Sequence, residues 1–138
     1  MVQAFTVSRV LDRPAGTVWE QLTDWDGAAE WLSVEAIRAE GPTAVGTELV
    51  FRTRGKERRS EILALEPGRS VTLRSRQGGV TADYTYTVEL AGSGSRATLT
   101  ADVRTPGIWA LLGPIIRRAI RREDSGQLEA LAQALADR

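Results

Sequence analysis

The chain has 138 residues, enough for one domain with its own core, and 42% apolar with 26% charged residues is the balance of an ordinary soluble globular protein. Eighteen basic residues offset 18 acidic ones, so no global field draws the chain toward nucleic acid or an anionic membrane. There is no His and no Cys, which excludes Ser-His-Asp and Cys-His nucleophile systems, removes the usual zinc ligands and leaves no disulfide.

Residues 1–11 alternate apolar and polar side chains without the unbroken apolar run of a signal peptide, and no stretch approaches the roughly 20 apolar residues of a membrane span. A cytoplasmic location is expected. Phe5, Val7, Arg9 and Leu11 share one face of a first strand, with Arg9 interrupting the apolar set. Pro14 suits the first turn of a helix whose stripe is Val18, Trp19 and Leu22, and a second short helix is expected over residues 27–32.

An edge strand is then expected at residues 33–39. After Gly41-Pro42, Leu49, Phe51 and Thr53 share a face, and Ile62 and Ala64 follow across the segment Gly55-Lys56-Glu57-Arg58-Arg59, which reads as a solvated hairpin turn. Lys56 is the only Lys, so Schiff-base or Ser-Lys chemistry would have to rest on a turn residue. Glu66-Pro67-Gly68 turns the chain into Val71, Leu73 and Ser75; Gly78-Gly79 leads to Tyr84, Tyr86, Val88 and Leu90; Gly92-Ser93-Gly94 leads to Leu99, Ala101 and Val103. Strands joined by short Gly turns imply an antiparallel meander. The stretch Gly92-Ser93-Gly94-Ser95-Arg96-Ala97 matches a relaxed dinucleotide fingerprint, but it joins two strands and opens no helix, so it reads as a hairpin.

Past Pro106-Gly107 the period becomes helical, with Leu112, Ile116, Ile120, Leu128, Leu131 and Leu135 on one side. A helix over residues 108–136 would span about 40 Å. Pro114 either kinks it or marks its true start after a separate turn, and Gly126 marks a further bend.

This order of one strand, two short helices, six strands and a closing helix resembles the START-like (SRPBCC) superfamily, and within it the polyketide cyclase/dehydrase family. The resemblance rests on Val10-Leu11-Asp12-Arg13-Pro14 leading to Val18-Trp19, on Leu22-Thr23-Asp24 before Trp31, on Val45-Gly46-Thr47, on Ile62 with Glu66-Pro67, and on the last helix. It implies an α+β helix-grip fold: a curved antiparallel β-sheet wrapped around a long C-terminal α-helix. It also implies a hydrophobic cavity between them for a lipid, polyketide or other apolar molecule. These motifs specify the scaffold and say little about function.

The strand and helix periods point Trp31, Phe51, Tyr84, Tyr86, Trp109, Leu112 and Ile116 at the space between sheet and helix, as pocket lining or plain core, with Trp31 the most structural of them. Arg9, Glu123, Asp124 and Gln127 interrupt apolar faces, and buried charges need partners or a ligand. The simpler reading is local, with Asp124 pairing to Arg121 on the helix surface. Arg117, Arg118, Arg121 and Arg122 form a basic cluster that reads as the solvated side of an amphipathic helix, since no aromatic residues interleave with it.

The expected function is binding of a small hydrophobic molecule by a monomer or homodimer, with no cofactor, no metal, no nucleic acid and no membrane span. The alternative is an aromatase/cyclase acting on a poly-β-keto chain, for which Tyr84, Tyr86, Arg9 and Glu123 are the candidate proton carriers. A third reading is a non-enzymatic assembly factor using an exposed patch at residues 109–115.

Overall fold

The computed structural model describes residues 1–32 and 34–137. Seven antiparallel strands form one sheet in the order β1-β7-β6-β5-β4-β3-β2, with β1 at Val2–Leu11, β2 at Ala36–Ala39, β3 at Glu48–Thr53, β4 at Lys56–Glu66, β5 at Ser70–Gln77, β6 at Val80–Ala91 and β7 at Gly94–Arg104. Only β1 is paired out of sequence, closing onto β7; the rest is the meander that the Gly turns require. Helix α1 covers Ala15–Thr23 and a 3₁₀ helix follows at Trp25–Glu30. The C-terminal segment that the sheet wraps consists of a 3₁₀ turn at Gly107–Leu112, helix α2 at Gly113–Asp124 and helix α3 at Gln127–Ala136. This is the helix-grip architecture.

Pro14 caps α1 from outside, and its carbonyl accepts from the Val18 amide. Its ring fixes φ at −59°, so the chain leaves β1 already set for the turn. Val18 and Leu22 are fully buried, while Trp19 is only partly so. The second short helix is 3₁₀ and starts at Trp25, two residues before its expected start. Trp25 belongs to the core and donates its indole N–H to Thr43 Oγ1 at 3.0 Å. The edge strand is shorter than expected, beginning at Ala36; Ser33, its expected first residue, lies outside the described residues.

Two details of the sheet depart from simple alternation. A register shift between Ile62 and Ala64 turns Leu65, not Ala64, toward the core, because one extra residue reverses which side chains face inward. Leu90 is 82% exposed, so the buried stripe of β6 ends at Val88. The β3–β4 turn is at Arg54-Gly55, both with positive φ (51° and 75°), so residues 56–59 already belong to β4 and are not turn residues.

Pro114 marks a helix start and makes no kink: it sits in the first turn of α2, after the separate 3₁₀ turn. The helical segment breaks again at Ser125-Gly126, where the low helix propensity of Gly favours an interruption between α2 and α3. Helices α2 and α3 pack on β1 and β7, and α1 on β6 and β7. The core of Phe5, Leu22, Trp31, Ile62, Leu99, Leu128 and Leu131 fills that side of the concave face. Toward the β3–β4 turn the concave face in front of β3, β4 and β5 stays open.

Candidate functional site

The open part of the concave face is a cleft of about 810 Å³ between β3–β6 and the end of α2. Strand pairing places Leu49 opposite Ser60, Phe51 opposite Arg58, Ser60 opposite Ser75 and Leu73 opposite Tyr84, and directly paired residues share a face. The cleft therefore has a floor of Leu49, Phe51, Leu73, Tyr84 and Tyr86, with Ser60, Ser75 and Arg58 toward the β3–β4 hairpin. Leu32 and Ile37 close one side, and Glu123, Asp124 and Gln127 overhang from the helical arm.

The overhang meets the floor through one hydrogen-bonded network. Tyr84 donates its hydroxyl to Asp124 Oδ2 at 2.8 Å, Tyr86 donates to Gln127 Oε1 at 2.5 Å, and Gln127 Nε2 donates to Asp124 Oδ1 at 3.2 Å. Tyr86 and Gln127 are buried; Tyr84 and Asp124 are partly so and face the cleft. Burial pushes the Asp124 carboxyl above the usual carboxylate range, assisted by the neighbouring Glu123 charge and opposed by the hydrogen bonds from Tyr84 and Gln127. Burial, followed by the Asp124 charge, pushes both tyrosine hydroxyls well above the ordinary tyrosine value. They therefore stay protonated and act as fixed hydrogen-bonding groups. Asp124, with its proton affinity raised, is the acidic group of this network that faces the cleft.

Three of the seven residues expected to line a pocket do so: Phe51, Tyr84 and Tyr86. Trp31 does not; it is buried in the core, edge-on to the Tyr86 ring at 5.7 Å between centroids. Trp109, Leu112 and Ile116 do not line the cleft either; the 3₁₀ turn at Gly107–Leu112 and the new helix start at Gly113 interrupt the helical period that would have aligned them. Trp109 lies across the β5–β6 turn, where Gly79 leaves room for its indole. Leu112 is 45% exposed, and Ile116 is half-buried away from the cleft. Ile108, Leu111, Leu112 and Ile115 form an exposed apolar patch, the surface on which the assembly-factor reading would rest.

Arg9 also lies outside the cleft. It pairs with Glu129 on α3, and both side chains are substantially solvated. Glu123 sits at the mouth, bridged to Arg54 of the β3–β4 turn at 2.6 Å. The local pairing of Asp124 with Arg121 does not form; Asp124 turns inward to Tyr84. The available signal was the spacing from Ile120 to Asp124, since residues four apart within α2 share a helix face. Arg58 was missed because it reads as a turn residue until the two-residue turn at Arg54-Gly55 sets the strand parity. The basic residues Arg118, Arg121 and Arg122 are exposed, and Arg117 is partly so.

Among the described residues, no group of three or more acidic, His or Cys side chains gathers as metal ligands would, and no helix is long and apolar enough to cross a membrane.

The model of the family described as "Polyketide cyclase / dehydrase and lipid transport" matches residues 2–136. The chain belongs to this family. No curated protein matches in sequence. Among solved structures, protein MLL2253 from Mesorhizobium loti is 19% identical, with a TM-score of 0.77 and 96% of each chain covered. Ara h 8.0201 is 16% identical, with a TM-score of 0.73 over 97% of each chain. BexL, a di-domain ARO/CYC from the BE-7585A biosynthetic pathway, is 17% identical, with a TM-score of 0.75; the alignment covers 99% of this chain and 47% of BexL. At these identities the likeness establishes the shared fold of the family.

Proposed function

We propose that the protein binds a small hydrophobic molecule in the cleft between β3–β6 and α2. The observation that carries this reading is the cavity itself. Its volume of about 810 Å³ falls within the usual few hundred to a thousand Å³ of small-molecule sites. Its floor of Leu49, Phe51, Leu73 and the two tyrosines is apolar and aromatic, and polar and charged side chains line its mouth and its overhang. A protein whose inward stripes served only as core would have closed this space.

The direct test is fluorescence titration with N-phenyl-1-naphthylamine, a neutral apolar dye. A one-to-one complex of micromolar strength is expected. Leu73→Trp enlarges a side chain on the cleft floor and should weaken binding more than tenfold, while its cost in stability stays near the ~1–3 kcal/mol typical of overpacking. Ile116→Trp lies outside the cleft and should leave binding unchanged. Equal binding by all three proteins would place the dye elsewhere and refute the reading.

A second reading, aldol closure and dehydration of a poly-β-keto chain, is favoured by one observation: the Asp124 carboxyl faces the cleft with its proton affinity raised, hydrogen-bonded to Tyr84. In that reading Asp124 exchanges protons with the chain, and the Tyr84 and Tyr86 hydroxyls hold Asp124 and Gln127 in position. The name of BexL points the same way for that protein. Incubation with a poly-β-keto thioester should then give cyclised product that Asp124→Asn abolishes. Unchanged turnover by that variant would remove Asp124 from the chemistry.

A further inference from the structure

Arg58 is the partly buried cationic group of the cleft whose charge the fold leaves unanswered; Arg76, also in the lining, is exposed to water. It lies on β4 opposite Phe51, so its side chain shares the concave face, and it is half-buried. Two neighbouring guanidiniums at the mouth are neutralised: Arg54 by Glu123, and Arg59 by Glu48 at 3.0 Å with Glu40 and Glu57 further out. Among the described residues no carboxylate lies within 4.0 Å of Arg58. Its partner is the neutral amide of Gln77, whose oxygen, with the amide turned to face it, accepts from the two Nη atoms at 3.1 and 3.2 Å.

A guanidinium carries five N–H donors in a planar fork, so an acceptor on one side leaves donors directed elsewhere. Next to Arg58 on the same face, Ser60 and Ser75 are hydrogen-bonded to each other at 2.6 Å. Only one of the two hydroxyl hydrogens serves that bond, which leaves the other for a ligand oxygen. A partly desolvated cation beside an apolar floor costs free energy until an anion completes it, and a planar fork fits a carboxylate or sulfonate best. The second polar cluster of the cleft has the opposite character: Glu123 and Asp124 on α2 repel an anion and accept hydrogen bonds from hydroxyl groups.

We propose that the ligand is an organic anion, an apolar ring or chain lying on Phe51, Leu73 and the two tyrosines, with its carboxylate or sulfonate held by Arg58 and its uncharged end toward α2. This specifies the ligand class for the cleft-binding reading above and rests on it.

The test compares two dyes with the same arylamine frame, N-phenyl-1-naphthylamine and 1-anilinonaphthalene-8-sulfonate, which differ by the sulfonate. The anionic dye should bind the wild-type protein at least tenfold more tightly, as one charge-assisted contact would give. Arg58→Gln should erase that preference while leaving the neutral dye unaffected. Arg58→Lys, which keeps the charge without the fork, should retain part of it, and Arg118→Gln, on the exposed side of α2, should retain all of it. Circular dichroism checks that each variant is folded. If the neutral dye binds as expected but shows no disadvantage, or if the preference survives Arg58→Gln, the anchor is wrong and the cleft reading stands. If neither dye binds, the cleft reading fails and the anchor with it.

Discussion

Tyr86→Phe removes one oxygen atom and tests whether the helical arm is strapped to the sheet through the cleft wall. The Tyr86 hydroxyl donates to Gln127 Oε1 at 2.5 Å, and both residues are buried, at 3% and 6% exposure. The Phe ring keeps its place against Trp31, so packing changes little. The net hydrogen bond is worth about 1 kcal/mol, and a buried acceptor left without a donor costs roughly 1–3 kcal/mol. The loss should therefore fall at about 1–3 kcal/mol. Unfolding entropy near 2.1 cal/mol/K per residue gives roughly 0.3 kcal/mol/K for a chain of this length, so Tm should drop by about 3–10 °C. Tyr84→Phe should cost less, because the partly exposed Asp124 keeps the Gln127 amide and gains water from the cleft.

Alkaline titration gives an independent readout, since Tyr84 and Tyr86 are the only tyrosines. Unfolded tyrosine ionises near pH 10, whereas burial and the Asp124 charge raise both folded values. Unfolding then releases protons, and stability must fall as pH rises above about 10. Tyrosinate absorbance should appear only together with loss of structure, and Tyr86→Phe should flatten the alkaline loss. Tyrosinate absorbance in the folded protein near pH 10, or a Tyr86→Phe cost no larger than that of Tyr84→Phe, would refute the network.

Asp124 has a raised folded value, so its contribution to stability is fullest below the ordinary carboxylate range near pH 4 and is lost as pH rises through its folded value. The difference in urea-unfolding free energy between wild type and Asp124→Asn should therefore move against wild type from pH 4 upward; a flat difference would mean that Asp124 is as solvated folded as unfolded. Gly79→Ala would set a Cβ 2.3 Å from the Trp109 indole nitrogen and 2.5 Å from its Cδ1, displacing the ring into water. A red shift in tryptophan emission with the fold retained is expected, and an unchanged spectrum would show that the indole does not lie on this turn.

The sequence by itself determined the sheet. Period-two stripes such as Phe5, Val7 and Leu11, or Tyr84, Tyr86 and Val88, separated by Gly turns, permit little besides an antiparallel meander, because each stripe must face one common interior. The closing helical segment and the places where it is interrupted, Pro114 and Gly126, were legible for the same reason, since backbone chemistry acts over a few residues; whether Pro114 kinks a helix or starts one was left to the structure. The cleft was only partly legible. Phe51, Tyr84 and Tyr86 could be placed from strand parity alone, whereas Trp109, Leu112 and Ile116 followed a helical period that the 3₁₀ turn and Pro114 interrupt. Only the tertiary structure decided that α2 and α3 lie toward β1 and β7, and this leaves β3–β5 open toward the β3–β4 turn. That placement turns Asp124 from a surface partner of Arg121 into the acceptor for Tyr84, and it leaves Arg58 in the cleft without a carboxylate. Charges acquire such roles from neighbours 40 or more residues away along the chain, and local patterning carries no information about distances of that kind.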